Sequence, residues 1–302
     1  TFTALNDGEP VLAGDTIAYQ RGIRDPYIYR GPDGAFYLAM TDLHVFARRD
    51  GYRETEWERD RNMYGWGNNK GLVLMKSWDL VNWKRANIRF DQLTAGLSEI
   101  GCAWAPEIAY DERVGKLMIY YTMRFRNERN KLYYVYVNDD FDRIESLPQL
   151  LYEYPDETVS AIDGDITPIW NEERQKMEYH LFYVAHESGS GIKHAVSDRI
   201  NGDYRFDPRW IDFERSSCEA PNLWKRIGED KWVLMYDIFG IKPHNFGFVE
   251  TSDFVHFKNL GRFNEGVMKT TNFRSPKHGA VIHLTQEEAD RLENYWNGKK
   301  QK

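Results

Sequence analysis

Three acidic side chains occupy similar places in the sequence, each just ahead of a run of apolar residues. Asp25 precedes a proline, Asp163 begins an Asp-Gly-Asp triplet, and Glu219 lies between a cysteine and an alanine. An acid at the mouth of a strand can take a proton from water, and a glutamate among small apolar neighbours is desolvated in the way that a general acid requires. These residue types predict acid–base chemistry, provided that the fold brings them together.

Each acid also has a structural interpretation. Asp25 could be a turn carboxylate paired with Arg24, because Asp-Pro is common in turns. Asp163 and Asp165 are separated by one glycine, so strand alternation would place both on one face, where each shifts the pKa of the other. A cation site or a solvated turn fits that spacing as well. For Glu219 the alternative is a contact with a backbone amide or an arginine, and here we favour a chemical role.

The elements that would position these acids recur along the chain. The five anchors are Arg24-Asp25-Pro26, Trp104-Ala105-Pro106-Glu107, Ile162-Asp163-Gly164-Asp165, Cys218-Glu219-Ala220-Pro221 and Lys277-His278-Gly279. A repeat of this length is one supersecondary unit that buries its faces by stacking on its neighbours. Small antiparallel sheets stacked in this way close into a propeller with a central channel. We therefore predict an all-β chain, a single five-bladed β-propeller over residues 1–302, with the acids converging on the channel.

The chain ends are expected to complete the propeller. The fifth repeat contains a single strand, residues 278–284, so closure would need strands from the N-terminal segment, at about residues 10–19. A short helix should follow, because Thr285 and Glu288 form a capping box ahead of an apolar stripe. This helix is the only one that the sequence predicts.

Aromatic residues near the anchors suit a sugar ligand. Trp104 could stack on a sugar ring while Glu107 binds hydroxyl groups, and Trp104 as a core residue is an equal alternative. The insertion between about residues 44 and 70, which includes Trp66, should form a wall of the binding cleft; a solvated outer loop is the alternative. His278, with Arg274 nearby, could be a metal ligand, a substrate contact or a hydrogen-bonded channel histidine.

Composition limits the function classes. The formal net charge is −7 and no basic stripe offsets it, which argues against a nucleic-acid or anionic membrane partner. No apolar stretch approaches transmembrane length. We expect Cys102 and Cys218 to be buried free thiols, since they precede anchors on different repeats. No signal peptide is visible, but the chain starts at Thr1, so a leader could have been removed. A periplasmic or secreted location is favoured, with a cytoplasmic one as the alternative, and the oligomeric state stays open.

The reaction follows from the converging acids. The sequence has no P-loop, no Gly-x-Gly-x-x-Gly, no His-Glu-x-x-His and no Gly-x-Ser-x-Gly. Three acids without a required cofactor indicate cleavage of a glycosidic bond, which uses a carboxylic acid and a carboxylate on opposite sides of the bond.

At its anchors the chain resembles glycoside hydrolase family 43, the five-bladed propellers that include arabinofuranosidases, xylosidases and arabinanases. The matching motifs run from about Arg24 to Leu284 in the family's order: Asp25-Pro26, Trp104-Ala105-Pro106, Ile162-Asp163 and Glu219-Ala220-Pro221. The resemblance implies an inverting reaction with Asp25 as general base, Glu219 as general acid and Asp163 as the residue that orients and tunes the acid. It implies a carboxyl separation of roughly 6.5–9.5 Å between Asp25 and Glu219.

The resemblance also implies an oligosaccharide or polysaccharide substrate. The remaining residues expected to contact it are Arg24, Trp66, Trp104, Glu107, Asp165, Arg274 and His278. The family's His at the fifth blade lies in some members near a bound calcium, so a channel calcium beside His278 is compatible with the sequence, although no cofactor is required. The family often has Pro where this chain has Gly164, and many members carry a C-terminal β-sandwich that is not found in this sequence. Its own insertion is therefore expected to close the pocket.

We expect an exo-acting enzyme that releases a terminal pentose from plant cell-wall material, with α-L-arabinofuranose favoured over xylose or galactofuranose. Three rivals remain. A retaining fructosidase would share Arg-Asp-Pro, but its Asp-Pro-Asn motif does not precede Arg24. A phosphorylase would need basic groups for phosphate, and only Arg274, Lys277 and His278 cluster. A sugar-binding propeller without catalysis would not need a desolvated Glu219.

Overall fold

The structure is a computed structural model that describes residues 1–52, 57, 66–67, 69–214 and 217–299. Residues 53–56, 58–65 and 68, which belong to the predicted cleft-wall insertion, lie outside the described residues. Residues 215–216 and 300–302 lie outside them as well.

The first repeat forms a four-stranded antiparallel sheet. Its strands are β1 (Ile23–Arg30), β2 (Phe36–Asp42), β3 (Gly71–Ser77) and β4 (Trp83–Arg89). Every residue of β2 is buried, as expected of a continuous apolar run. Gly34 has a φ of 83° in the turn between β1 and β2, a conformation that glycine adopts without strain.

The second repeat forms the next sheet, again with sequential antiparallel neighbours. Its strands are β5 (Ile100–Asp111), β6 (Lys116–Phe125), β7 (Lys131–Tyr136) and β8 (Gln149–Tyr152). All residues of β6 except its two ends are buried. The long β5 therefore pairs on one side with a strand that is wholly interior.

The third sheet has the same order, with its first strand innermost. Its strands are β9 (Ala161–Asn171), β10 (Lys176–Ala185), β11 (Gly191–Ser197) and β12 (Arg205–Asp207). The first six residues of β9 are buried and the last five are not. The strand thus begins in the interior, where the Asp-Gly-Asp triplet lies, and ends near the surface.

The fourth sheet contains β13 (Cys218–Lys225), β14 (Trp232–Ile238), β15 (Asn245–Thr251) and β16 (Lys258–Arg262). All residues of β14 after the first are buried, including Asp237, a charged side chain with no exposed surface. A buried carboxylate needs a partner because its desolvation is costly. A partner for the Asp237 carboxylate must therefore lie nearby.

The four sheets are arranged around a common channel as a propeller. Inner strand β1 contacts β5, β5 contacts β9, and β9 contacts β13. The apolar core lies between successive sheets: one cluster joins the first sheet to the second, another the second to the third, and a third the third to the fourth. The second and third sheets therefore bury both faces against neighbouring sheets, as the repeat predicted, whereas the remaining faces of the first and fourth sheets pack on residues of the N- and C-terminal segments.

The prediction of five blades is wrong for the described residues, which form four sheets. Residues 278–284 are not in a strand, and residues 10–19 contain a short helix, α1 (Gly14–Ile17), instead of strands. The N-terminal segment pairs with the C-terminal one through an isolated β-bridge between Phe2 and Thr270, and the hydrogen bonds between Ala4 and Asn272 beside it involve the Asn272 side chain. Without a ladder of partners, the fifth repeat does not become a sheet.

The segment around His278 nevertheless lies between the fourth sheet and the first. The backbone N–H of Val281 donates to Oδ1 of Asn222 on β13 at 2.9 Å. On the other side, Nδ1 of His278 lies 3.3 Å from Oδ1 of Asp25 on β1. The segment closes the ring through side-chain contacts where a fifth sheet was expected to close it through strand pairing.

The predicted C-terminal helix is present as α2 (Gln286–Lys299). The backbone N–H of Thr285 donates to Glu288 at 2.8 Å, and that of Glu288 donates to Oγ1 of Thr285 at 3.3 Å, which is the reciprocal pattern of a capping box. Glu288 also forms two hydrogen bonds with Arg30, and these fasten the helix to β1. Within the part of the chain that the structure describes, the other helical elements are short 3-10 turns: Asn6–Gly8, Phe90–Gln92 and Ala95–Leu97.

Two further sequence-based expectations can be compared with the structure. Cys102 and Cys218 are both buried and unpaired with each other, as predicted. Among the described residues, no helix is long and apolar enough to cross a membrane.

Candidate active site

A strained backbone residue recurs at every anchor. Five residues other than glycine have a positive φ there: Asp25 (51°), Ala105 (45°), Asp163 (48°), Ala220 (54°) and His278 (42°). In the four sheets the pairing with the second strand is interrupted at the same place. The left-handed conformation costs such residues about 1–2 kcal/mol each, and bulges of this kind re-aim side chains beside active sites. The four anchors that lie in sheets are therefore β-bulges, and the fifth has the same strained backbone outside a strand.

The position of the strained residue shows which residues of the five anchors correspond to one another. Ala105, two residues before Glu107, corresponds to Asp25 and Asp163. Glu107 instead corresponds to Asp165, two residues past the bulge. Glu107 therefore does not occupy the position of Asp25 or Asp163, although all three are acids within an anchor, because the backbone conformation and not the residue type sets the equivalence.

The five residues that directly precede the strained residues line the same cavity. These five residues are Arg24, Trp104, Ile162, Glu219 and Lys277, and all of them line a cavity of about 710 Å³. Among the strained residues, Asp25, Asp163 and His278 line it as well. The fold thus brings the three predicted acids, which come from three different sheets, to one cavity at the mouth of the channel.

Loops complete the cavity. Val45, Phe46 and Trp66 from the insertion of the first repeat line one part, so the described part of that insertion does form a cavity wall. His186 and Ser190, from the connection between β10 and β11, also line it. A third loop, between β14 and β15, contributes Phe239, Lys242 and His244.

Asp25 is surrounded by groups that favour its charged form. Oγ1 of Thr41 donates to its Oδ2 at 2.7 Å, Nδ1 of His278 lies 3.3 Å from its Oδ1, and Nε of Arg24 lies 3.9 Å away. Burial alone would raise the pKa of Asp25, but His278, Arg24 and Thr41 outweigh it, so the pKa lies well below its usual range. Asp25 is a carboxylate that can accept a proton or a hydrogen bond.

His278 is the cationic partner of Asp25. Burial would lower the pKa of His278, but Asp25, with smaller effects from Asp163 and Glu219, raises it. Among the described residues, no group of three His, Cys, Asp or Glu side chains is arranged to hold a metal. The metal-ligand role of His278 and the channel calcium stay predictions.

Asp163 has the opposite electrostatic environment. It is buried, and its Oδ2 accepts a hydrogen bond from the backbone N–H of Ala220 at 3.3 Å. Burial raises the pKa of Asp163, and the neighbouring carboxylates of Glu219 and Asp25 raise it further against the opposing effect of His278. Asp163 is therefore electrostatically coupled to Glu219, and its hydrogen bond reaches the residue next to Glu219 in the chain.

Glu219 is not desolvated in the way that its small neighbours suggested. Cys218 and Ala220 are buried, but the Glu219 side chain is 27% exposed in the cavity. Nζ of Lys277 lies 2.5 Å from its Oε1 and 2.7 Å from Oδ2 of Asp237. The carboxyl group of Glu219 is therefore held by an ion pair with Lys277, and not by apolar neighbours alone.

Two tryptophans form the aromatic part of the wall. Nε1 of Trp104 donates to the backbone oxygen of Trp66 at 2.8 Å. The guanidinium of Arg24 lies 5.2 Å from the ring of Trp66, and that of Arg124 lies 4.9 Å from the ring of Trp104. Both tryptophans line the cavity, as their predicted role in sugar stacking requires.

Glu107 and Asp165 lie below the cavity, not in its lining, which does not fit their predicted role in substrate binding. Asp165 accepts hydrogen bonds from the backbone N–H of Leu223 at 2.9 Å and from Nδ2 of Asn222 at 3.1 Å. Glu107 accepts one from Tyr120 at 2.8 Å. These buried contacts tie the inner strands β5, β9 and β13 to one another.

Burial raises the pKa values of the two buried acids. The pKa of Glu107 rises well above its usual range, and Asp165 raises it further. The pKa of Asp165 rises to about 7, against its hydrogen bonds from Leu223, Glu107 and Asn222. Burial therefore favours the protonated form at both side chains. The glycine between Asp163 and Asp165 lies in the bulge, which is why the two aspartates do not share one face as strand alternation predicted.

Arg274 is exposed and does not line the cavity, contrary to the prediction that it binds substrate. Sequence reasoning also missed several cavity residues: Lys277 as a partner of Glu219, Phe239, Lys242, His244 and His186. Asp237 does carry a sequence signal, because it follows directly on the apolar run of β14. In the structure it pairs with Glu219 on the neighbouring strand. The loop residues carry no comparable signal.

Known proteins resemble this chain at the level of family and fold. A family described as a probable glycosyl hydrolase domain, related to glycoside hydrolase family 43, matches residues 1–290. An α-L-arabinofuranosidase of Bifidobacterium longum subsp. longum is 28% identical over 254 residues, which is 78% of this chain and 21% of that protein. The chain thus spans about a fifth of the length of this curated relative.

Two solved structures have the same fold. A thermostable family-43 glycoside hydrolase superposes with a TM-score of 0.56 at 15% identity, over 90% of this chain and 82% of the other. A β-xylosidase superposes with a TM-score of 0.56 at 13% identity, over 84% of this chain and 81% of the other. At these identities the likeness concerns the fold alone.

Proposed function

Since the chain belongs to the glycosyl hydrolase family related to family 43, we propose that it hydrolyses glycosidic bonds with inversion, using Asp25 and Glu219. The observation that carries this proposal is the convergence of Asp25, Asp163 and Glu219 from three sheets on one cavity. Two carboxyl groups on opposite sides of a bond are the requirement for this reaction.

The electrostatics support separate roles for the acids. Asp25 is held as a carboxylate by His278, Arg24 and Thr41, so it can take a proton from the attacking water. Glu219 donates its proton to the departing glycosidic oxygen, and the water oxygen bonds to the anomeric carbon as that bond breaks. Asp163, coupled to Glu219, tunes the proton donor. Inversion requires room for the water, and we expect a separation of roughly 6.5–9.5 Å between the carboxyl groups of Asp25 and Glu219.

For the substrate we propose a terminal pentose of a plant cell-wall polysaccharide or oligosaccharide, with α-L-arabinofuranose first. The curated relative named as an α-L-arabinofuranosidase supports this choice. Release from the chain end is supported by Phe46 and Trp66 of the first-repeat insertion, which line the same cavity as the acids. A β-xyloside or a galactofuranoside is the second candidate, and such substrates favour a periplasmic or secreted location.

A panel of 4-nitrophenyl glycosides tests the substrate, with α-L-arabinofuranoside, β-D-xyloside and β-D-galactofuranoside as its main members. We expect one pentoside to dominate, and proton NMR of the first product should show the inverted anomer. Glu219→Gln and Asp25→Asn should each lower kcat by about 10²- to 10⁴-fold, the usual contribution of acid–base catalysis.

Sugar binding separates the enzyme from a binding protein. Glu219→Gln should still bind the product sugar in a calorimetric titration. If wild-type protein binds sugar but cleaves no glycoside in the panel, the chain is a binding module and the proposed reaction is wrong.

A further inference from the structure

We propose that Lys277, anchored by Asp237, is a positioning residue that holds Glu219 in the cavity wall, where Glu219 donates its proton to the leaving group. This inference rests on the proposed function, because it gives Lys277 a role in the same reaction. It assigns roles to Lys277 and Asp237, which have no part in the proposed roles of the three converging acids.

The first support is the geometry of the three charged groups. Glu219 and Asp237 are direct neighbours across β13 and β14, and like charges in such cross-strand pairs repel each other. Nζ of Lys277 lies between them, 2.5 Å from one carboxylate and 2.7 Å from the other. Burial would lower the pKa of Lys277, but the two acids raise it. The lysine is therefore an ammonium ion that offsets the repulsion between the two carboxylates.

The second support is that the three groups differ in their freedom to move. Asp237 has no exposed surface, whereas the side chains of Lys277 and Glu219 are 33% and 27% exposed. Oδ2 of Asp237 also accepts the backbone N–H of His278 at 3.3 Å. Asp237 is thus the fixed end of the triad, Lys277 is the link, and Glu219 is the end that a substrate can reach.

The third support comes from the corresponding residues of the other sheets. Thr41 and Thr122 take the place of Asp237, opposite the residue before the bulge. Each hydroxyl accepts the backbone N–H of the strained residue in the next sheet, Ala105 at 2.8 Å and Asp163 at 3.0 Å. A threonine therefore satisfies the backbone at this position. The carboxylate of Asp237 adds a charge that the backbone contact does not require, and that charge holds Lys277.

This comparison supplies matched variants. Asp237→Thr keeps an acceptor for the N–H of His278, as in the first and second sheets, but removes the anchor of Lys277. Lys277→Met removes the ammonium, and Lys277→Arg keeps a cation. Lys225→Met is the control, because Lys225 lies at the far end of the same strand as Glu219 and pairs with the exposed Asp230.

The test measures kcat on aryl glycosides of the preferred sugar with leaving groups of different acidity. Phenolate needs protonation to depart, whereas 2,4-dinitrophenolate needs little. If Lys277 positions the proton donor, Lys277→Met and Asp237→Thr should lower kcat about 10- to 100-fold on the phenyl glycoside, a fraction of the usual contribution of acid catalysis. They should have little effect on the dinitrophenyl glycoside, and KM should change little. Lys277→Arg should recover most of the rate, and Lys225→Met should match wild type.

A double variant gives a second readout. The double variant Lys277→Met/Asp237→Thr should show about the effect of either single change, because the two residues act as one unit. It also leaves no unpaired buried charge, so it remains informative where Lys277→Met folds poorly.

Equal losses on all leaving groups would overturn the role of Lys277 and leave a purely structural ion pair. Additive losses in the double variant would also contradict it. A wild-type protein that cleaves no glycoside is a different result, because it contradicts the proposed function itself.

Discussion

The imidazole of His278 and the carboxylate of Asp25 lie 3.3 Å apart, measured from Nδ1 to Oδ1. This contact joins the segment that follows the fourth sheet to the first strand of the first sheet. Both residues have strained left-handed backbones, with φ of 42° and 51°. The pair thus closes the ring of sheets and at the same time sets the charge of the proposed base.

The first prediction concerns stability and pH. The pKa of Asp25 is lowered, so its contribution is lost as pH falls through that low value; the pKa of His278 is raised, so its contribution is lost as pH rises through that higher value. Both contributions to stability are fully present between the ordinary pKa values of the two groups, at about pH 4 to 6.5. His278→Asn should therefore lower the free energy of unfolding by about 1–3 kcal/mol at pH 5.5, and by less at pH 9.

Urea unfolding of both proteins at the two pH values checks this difference. Asparagine tolerates the left-handed region, so the substitution probes the charge of His278 more than its backbone strain. His256→Asn is the control, because His256 is 86% exposed in its pair with Asp253, and exposed pairs contribute little. An equal loss at pH 5.5 and pH 9 would show that the imidazolium does not stabilise Asp25.

The second prediction concerns activity at low pH. His278 is the largest influence that lowers the pKa of Asp25, and burial acts in the opposite direction. Without the imidazolium, Asp25 should become protonated at a higher pH. The acid limb of kcat/KM should therefore move to higher pH in His278→Asn, as measured with the preferred aryl glycoside. An acid limb at the wild-type position would mean that Asp25 is not the base.

The sequence predicts the local elements of this fold well, because apolar runs, turn glycines and a capping box are short-range signals. It predicts the three acids of the cavity for the same reason. It does not predict that the fifth repeat lacks a sheet, since this depends on whether Phe2 and its neighbours pair with residues near Thr270. It also fails for Glu107, because a bulge two residues earlier decides which side chain reaches the cavity. The contact of Lys277 with Glu219 joins residues 58 positions apart, and no local pattern encodes it.

The third prediction separates Asp163 from Asp165. Burial raises the pKa of Asp163 to about 7, and the carboxylates of Glu219 and Asp25 contribute to the rise, so Asp163 titrates within the working range of the enzyme. Asp163→Asn should therefore remove this titration from the alkaline limb of kcat/KM and lower kcat about 10- to 100-fold.

Asp165→Asn is the matched control, since Asp165 lies beneath the cavity with Asn222 and Leu223 as partners. It should change the stability of the protein and leave the alkaline limb in place. If the two substitutions shift the limb equally, the position of Asp163 in the cavity wall does not explain the tuning of the acid.

The last prediction concerns Glu107, which sequence reasoning placed in the substrate site. Its pKa is raised by burial and by Asp165, so the folded protein holds a proton that the unfolded chain releases above about pH 4.3. Stability then falls as pH rises from that value toward the raised pKa, by up to about 1.4 kcal/mol per pH unit. Glutamine can donate to Asp165 and accept from Tyr120 without titrating. Glu107→Gln should therefore gain stability relative to wild type between pH 4 and pH 7 in urea unfolding, while KM for the aryl glycoside stays unchanged. A raised KM with no gain in stability would return Glu107 to the substrate site.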